Sequence, residues 1–244
     1  MIHAVIVAAG EGKRALGAIK KQFALLSSRP MIVHTLTPFF ASSIIDTVSC
    51  VIAKDEISYF ETLLQCYPEI TLDKIIEGGV SRQDSVAAGV FYLEKNYSSD
   101  DLVVIHDGAR PFVTSKLIQK VIDAASPFCG AVAALPVNDS LKEVSAEGKI
   151  LRSIPREGVW AMQTPQAFLL GVLAQALRKA QSESFIGTDE ASIVERMGYP
   201  VLCVMGEEDN IKITTASDLL RAERGLAPPG NKVDPAVGVP TVGS

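Results

Sequence analysis

No run of apolar residues in this 244-residue chain approaches 18, so nothing in it reads as a membrane-spanning helix. Positive charge is not in excess either. Lys and Arg number 23 against 28 Asp and Glu, and the net charge of −5 argues against general binding to nucleic acid or to an acidic membrane. Cys50, Cys66, Cys129 and Cys203 stand far apart with no C-x-x-C pair. With apolar neighbours around most of them, they are expected to be reduced packing residues of a cytoplasmic protein, not metal ligands. The first strand-like run begins at residue 2, so no signal or transit peptide is expected. No internal repeat stands out. What remains is an ordinary soluble composition, 48% hydrophobic and 21% charged, long enough for one large core with at most a small appendage.

The chain is organised around its first turn. Ile2-His3-Ala4-Val5-Ile6-Val7-Ala8-Ala9 is short and β-branched enough to be a buried parallel strand. Gly10-Glu11-Gly12 follows, and then Lys13, Arg14, Lys20 and Lys21 place four cations in nine residues. Glycines let backbone N–H groups approach a ligand, and clustered Lys and Arg neutralise phosphate, so a polyphosphate loop is expected at the carboxyl end of this strand. The P-loop pattern fails, because Arg14 follows Gly12-Lys13 and Val7 holds the first-glycine position. The dinucleotide pattern fits loosely as Gly10-x-Gly12-x-x-Ala15, but no acidic residue that could grip a ribose occurs between Gly12 and Asp46.

Strand-like and helix-like stretches then alternate. Helices are expected from Pro30 to Phe40, with Pro38 an end or kink, from Asp55 to Cys66, Ser81 to Lys95 and Ser115 to Ala125. Strands are expected at 46–53, 74–76, 102–106 and 131–135. Repeating β-α pairs of this length predict an α/β fold with a doubly wound, mostly parallel, Rossmann-like sheet. Pro136 to Trp160 breaks the rhythm, and its Glu147-Gly148 turn signal predicts a hairpin arm that cannot be stable projecting alone into water. Helices near 169–181 and 188–197, a strand at 201–205 and a last helix at 216–224 complete the domain, taken as 1–225. Residues 226–244 lack periodicity and are expected to be a loose tail.

Ala8-Ala9-Gly10-x-Gly12-x-Arg14, followed by Lys21-Gln22, resembles the signature of nucleotidylyltransferases that activate sugars and polyol phosphates. Most closely it resembles the 2-C-methyl-D-erythritol 4-phosphate cytidylyltransferases of non-mevalonate isoprenoid synthesis, and the likeness runs to about Gly225. The resemblance implies attack of a polyol phosphate on the α-phosphorus of CTP, release of pyrophosphate, a Mg²⁺ cofactor and a homodimer interlocked through the 136–160 arm. The monoester nucleophile, with a second pKa of about 6, is already largely ionised at pH 7, so no general base is required. The first motif accordingly carries no Ser-His-Asp or Cys-His arrangement.

By this resemblance Arg14, Lys21 and Lys212 are the catalytic cations. Lys13 and Lys20 are expected to be solvated. The family's Pro before the Lys-Gln and Met after the Arg are replaced by Lys20 and Ala15, so Lys20 or Lys21 could be the inner lysine; the following Gln22 favours Lys21. Ala8, Ala9, Gly10, Gly12, Gly79 and Ser85 would hold the nucleotide, the last two from Gly78-Gly79-x-Ser81-Arg82-x-x-Ser85. His106-Asp107-Gly108-Ala109-Arg110-Pro111 matches the next block, with Asp107 on the ribose or the metal, Arg110 a site cation or a brace for Asp107, and His106 structural. Ser140 (in place of threonine), Arg156, Thr164, Thr188, Asp189 and Lys212 would face the polyol phosphate, although Thr188 and Asp189 could equally cap a helix. Rival readings are a ribitol-5-phosphate cytidylyltransferase, an NAD-dependent oxidoreductase and a non-catalytic nucleotide-binding protein.

Overall fold

The apolar run at the N-terminus becomes β1 (Ile2–Val7), and His3, Ala4, Val5 and Ile6 are all fully buried. Such a strand needs cover on both faces. The structure, a computed structural model, describes residues 1–10 and 20–226. β1 lies inside a seven-stranded sheet, parallel to β4 (Thr47–Ile52) on one side and to β6 (Leu102–Asp107) on the other. Beyond β4 comes β5 (Lys74–Glu77), and beyond β6 come β10 (Trp160–Leu169), β7 (Gly130–Pro136) and β11 (Val201–Met205). Only β10 runs antiparallel to its neighbours in this sheet.

Alternation along the strands sorts the core into two layers. Ala4 and Ile6 face α1 (Met31–Phe40), α2 (Ile57–Leu64) and α4 (Ser115–Ala124), through Leu36, Phe60 and Leu117. Val5 faces the opposite way, among side chains of α3 (Arg82–Asn96), α5 (Leu170–Ser182) and α6 (Glu190–Glu195), such as Val90 and Leu173. A smaller cluster joins a hairpin, β2 (Leu25–Leu26) and β3 (Arg29–Pro30), to α7 (Ala216–Leu226) through Leu26, Ile213 and Leu219. The connections from β1 and β6 leave toward opposite edges of the sheet, so a crevice opens at their carboxyl ends.

The doubly wound sheet agrees with the pattern of the sequence, but several local expectations change. Pro30 precedes α1 as its cap, not in its first turn, and α1 runs two residues past Pro38. β10 was not expected as a strand. Its Pro165 lies where the register with β7 breaks between Met162 and Gln166, a position that needs no ladder N–H. Of the four cysteines, all free, Cys50 alone is buried; Cys66 and Cys203 are exposed, so packing does not account for them. The predicted arm is present as β8 (Leu141–Val144) paired with β9 (Ile150–Ile154), with Gly148 in the left-handed region at the turn. Residues 227–244 of the expected tail lie outside the described residues.

Candidate active site

Two glycine contacts shape the crevice. A Cβ on Gly78 would stand 2.2 Å from the Ala9 Cβ, and one on Gly108 would stand 2.7 Å from the Ala8 Cβ, so the end of β1 and the loops after β5 and β6 approach closely only as glycines. The cleft between them has a volume of about 640 Å³. Ala8, Ala9, Gly10, Lys21, Gly79, Ser85, Asp107 and Lys212 line it, which brings together eight residues proposed from separate parts of the chain. Arg14 and Gly12 lie outside the described residues. Lys20 lines the cleft beside Lys21, and its ammonium is 3.1 Å from Glu56, whose other oxygen accepts from the Gln22 amide at 2.6 Å.

Ser81 caps α3, its hydroxyl accepting from the Asp84 N–H, and the Ser85 hydroxyl accepts from the Gly79 N–H while donating to the Ser81 carbonyl. The glycine loop is therefore held by the first turn of the helix that it precedes. On the other side of the crevice, Asp107 ends β6 with 6% of its surface exposed. Its Oδ1 accepts from Arg82 Nε at 2.8 Å and its Oδ2 from Lys212 Nζ at 2.6 Å. Burial works against the Asp107 charge, but Arg82 and Lys212 outweigh it and hold the carboxyl well below the usual carboxylate range.

Lys212 reaches this position because its flanks are pinned. The Asn210 amide donates to the Thr164 carbonyl at 2.8 Å, its own carbonyl accepts from Arg110, and the Ile213 N–H donates to the Ala109 carbonyl. Arg110 thus braces the site from beneath, with its Nε 4.0 Å from Asp107. His106 is fully buried, and burial pushes its imidazole down to about 4, so it is neutral near pH 7. Its hydrogen bonds then have one consistent direction. The Asp107 N–H donates to the Thr164 hydroxyl, that hydroxyl donates to His106 Nδ1, and Nε2–H donates to the Arg110 carbonyl. His106 is structural, as its sequence context suggested, and the hydroxyl of Thr164 is committed at both ends.

A second cleft of about 260 Å³ adjoins the first and is lined by Gln163, Thr164, Thr188 and Asp189. Asp189 caps α6, accepting from the Ser192 N–H at 2.9 Å and from the Gln166 amide at 3.0 Å; Thr188 beside it is exposed. Arg82, Asp107 and Lys212 line both clefts. Ser140 and Arg156 are exposed on the arm and line neither; the Arg156 guanidinium donates to the Asn138 carbonyl within the arm.

Sequence reasoning gave no role to Arg82 or Glu190. Glu190 is fully buried and takes both terminal nitrogens of Arg82, at 2.6 and 3.0 Å. The only local signals were an arginine in a glycine loop and an acid in Thr188-Asp189-Glu190-Ala191.

The sequence model of the family described as IspD, 2-C-methyl-D-erythritol 4-phosphate cytidylyltransferase, matches residues 2–227. The chain belongs to this family. A 2-C-methyl-D-erythritol 4-phosphate cytidylyltransferase of Halalkalibacterium halodurans is 45% identical over 223 residues, covering 91% of this chain and 96% of its own. Among solved structures, the enzyme of that name from Francisella tularensis superposes with a TM-score of 0.77 at 28% identity, covering 92% of this chain and 99% of its own. That from Thermus thermophilus gives 0.70 at 31% identity, over 90% and 96%. In this cytidylyltransferase-family chain the two clefts meet at the Asp107–Lys212 pair, and the acid for an NAD ribose that the oxidoreductase reading requires is missing between Gly12 and Asp46.

Proposed function

We propose that the protein transfers CMP from CTP to 2-C-methyl-D-erythritol 4-phosphate, giving 4-diphosphocytidyl-2-C-methyl-D-erythritol and pyrophosphate for isoprenoid precursor synthesis. The observation that carries this, beside family membership, is the junction of two clefts at one buried carboxylate and one ammonium, 2.6 Å apart. The larger cleft suits the nucleotide, with its base against the Gly78-Gly79 loop and its phosphates toward Lys21; Arg14, outside the described residues, is assigned to the triphosphate by its motif alone. The smaller takes the polyol phosphate. Lys212 then stands where the attacking monoester oxygen approaches the α-phosphorus, and it neutralises charge that grows on the α-phosphoryl oxygens as pyrophosphate leaves. No proton needs to be removed from the nucleophile, and His106, fully buried with Nδ1 already accepting from Thr164, has no access to that task.

A divalent cation is part of this proposal. Among the described residues there is no group of three or more His, Cys, Asp or Glu able to hold one, so the ion fits as a passenger of the triphosphate with Asp107 as a single protein ligand. When bound it would neutralise phosphate charge, held by Asp107, whose carboxylate also keeps Lys212. The alternative part for Asp107 is the ribose.

We also propose a cytoplasmic homodimer. Val144, Ile150, Leu151 and Ile154 expose apolar surface on a two-stranded arm with no sheet partner among the described residues, and a second copy would cover it. Pyrophosphate release measured over four nucleotides and over methylerythritol and ribitol phosphates tests the chemistry. Turnover confined to CTP with methylerythritol phosphate supports the proposal; preference for ribitol phosphate, or CTP binding without release, would replace it.

A further inference from the structure

Arg82 and Glu190 lie 108 residues apart in sequence and form a two-pronged ion pair at the crevice. Glu190 is 0% exposed, and a buried carboxylate without a cation is strongly unfavourable, so Glu190 dictates where the Arg82 fork must lie. Once Nη1 and Nη2 are spent on Glu190, the planar guanidinium leaves Nε pointing at Asp107 Oδ1, 2.8 Å away. That engages one oxygen of Asp107 and leaves Oδ2, which holds the Lys212 ammonium at 2.6 Å.

The neighbouring residue repeats the link in neutral form. Gln83 donates from its amide nitrogen to the Phe185 carbonyl and accepts from the Gly187 N–H, tying the first turn of α3 to the loop that precedes Glu190. The helix behind the larger cleft and the loop bordering the smaller one are thereby joined as one body.

We propose that Arg82, clamped by Glu190, is a positioning residue that sets the site of the Lys212 ammonium by occupying only one oxygen of Asp107. Without the clamp the guanidinium can turn onto Asp107 with two nitrogens, taking both oxygens and displacing Lys212. The inference rests on the role assigned to Lys212 above.

A double-mutant cycle tests it, with turnover of CTP and methylerythritol phosphate read for Glu190→Gln, Lys212→Ala and the double variant, and melting temperature read alongside. Glu190→Gln is expected to lower kcat by about tenfold or more in the native background, since misplacement of a positioned group by about an ångström can cost ~10²-fold. In the Lys212→Ala background the same change should cost less than about twofold, because the group it positions is gone. Equal losses in both backgrounds, or no loss in the native one, would overturn the proposal and leave the pair a structural brace. Near-normal kcat of Lys212→Ala itself would overturn the reading of the site and this inference together, a separable result. If Glu190→Gln does not fold, Arg82→Lys carries the same cycle. It keeps a cation opposite Glu190, but one ammonium cannot hold both carboxylates as the fork does, so the same coupling to Lys212→Ala is expected.

Discussion

Replacing Lys212 by alanine should separate catalysis from folding. The Lys212 side chain is 38% exposed and its ammonium is 2.6 Å from Asp107 Oδ2. Asp107 is 6% exposed, yet it keeps Arg82 at 2.8 Å when Lys212 is removed. The loss of a buried pair can cost ~3–5 kcal/mol, but that figure applies where a buried charge is left without compensation. Here a second cation remains and the removed partner is partly solvated, so the expected loss is nearer ~1 kcal/mol. Removing a group that stabilises transition-state charge costs ~10²–10³ in rate, so kcat should fall far more than stability does.

The pH dependence of that stability loss has a definite sign. In the native protein Asp107 is held below the usual carboxylate range, with Lys212 one of the two cations responsible. A carboxyl with a depressed folded-state pKa contributes stability above the unfolded value of ~3.9, and loses it as pH falls toward the folded value. Lys212→Ala moves the folded pKa up toward the unfolded one. Its melting temperature should therefore lie below that of the native protein at pH 7, and the gap should narrow as pH is lowered from ~4. Pyrophosphate release at saturating substrates and melting curves from pH 7 to pH 3 are the measurements. A kcat within about threefold of native would refute the catalytic assignment, and a gap that widens in acid would refute the electrostatic one.

Arg14→Ala and Lys21→Ala should each reduce turnover by ~10² or more at saturating CTP, and folding should survive; near-normal turnover of either would remove it from the triphosphate site. Gly78→Ala would put a Cβ 2.2 Å from the Ala9 Cβ, so a stability loss of ~1–3 kcal/mol and a raised KM for CTP are expected. Adding Ala9→Gly opens that contact and should recover part of the stability; no recovery would mean that the clash is not the cause. Arg156 lines neither cleft of its own chain, so it acts only through the proposed dimer: if it reaches the second subunit's site, Arg156→Ala should raise KM for the polyol phosphate with CTP binding close to unchanged. If the partner supplies this residue, mixing Arg156→Ala with Lys21→Ala protein under free subunit exchange should restore activity, whereas mixtures no more active than the separate variants would place Arg156 elsewhere.

What could be read in advance follows how far apart the cooperating groups lie. Gly78-Gly79, the Ser81 cap and Ser85 all fall between positions 78 and 85, so glycine chemistry, capping and helix start share one stretch of sequence. The arm was legible for a similar reason, since Glu147-Gly148 marks a turn between two short runs. β10 was hidden because proline ordinarily argues against a central strand; only the break in pairing beside Pro165 admits it, and that break is visible in three dimensions alone. The charge state of Asp107 was hidden more deeply. Spacing identifies it as the acid at a strand end, but its two cations arrive from α3 and from the segment after β11, 25 residues before it and 105 after it. No periodicity links such groups. A pattern along the chain can nominate which residues stand at the mouth of a sheet, whereas which oxygen each cation takes, and therefore which cation is left for phosphate, is decided by partners like Glu190 whose own sequence context reads as the first turn of a short helix.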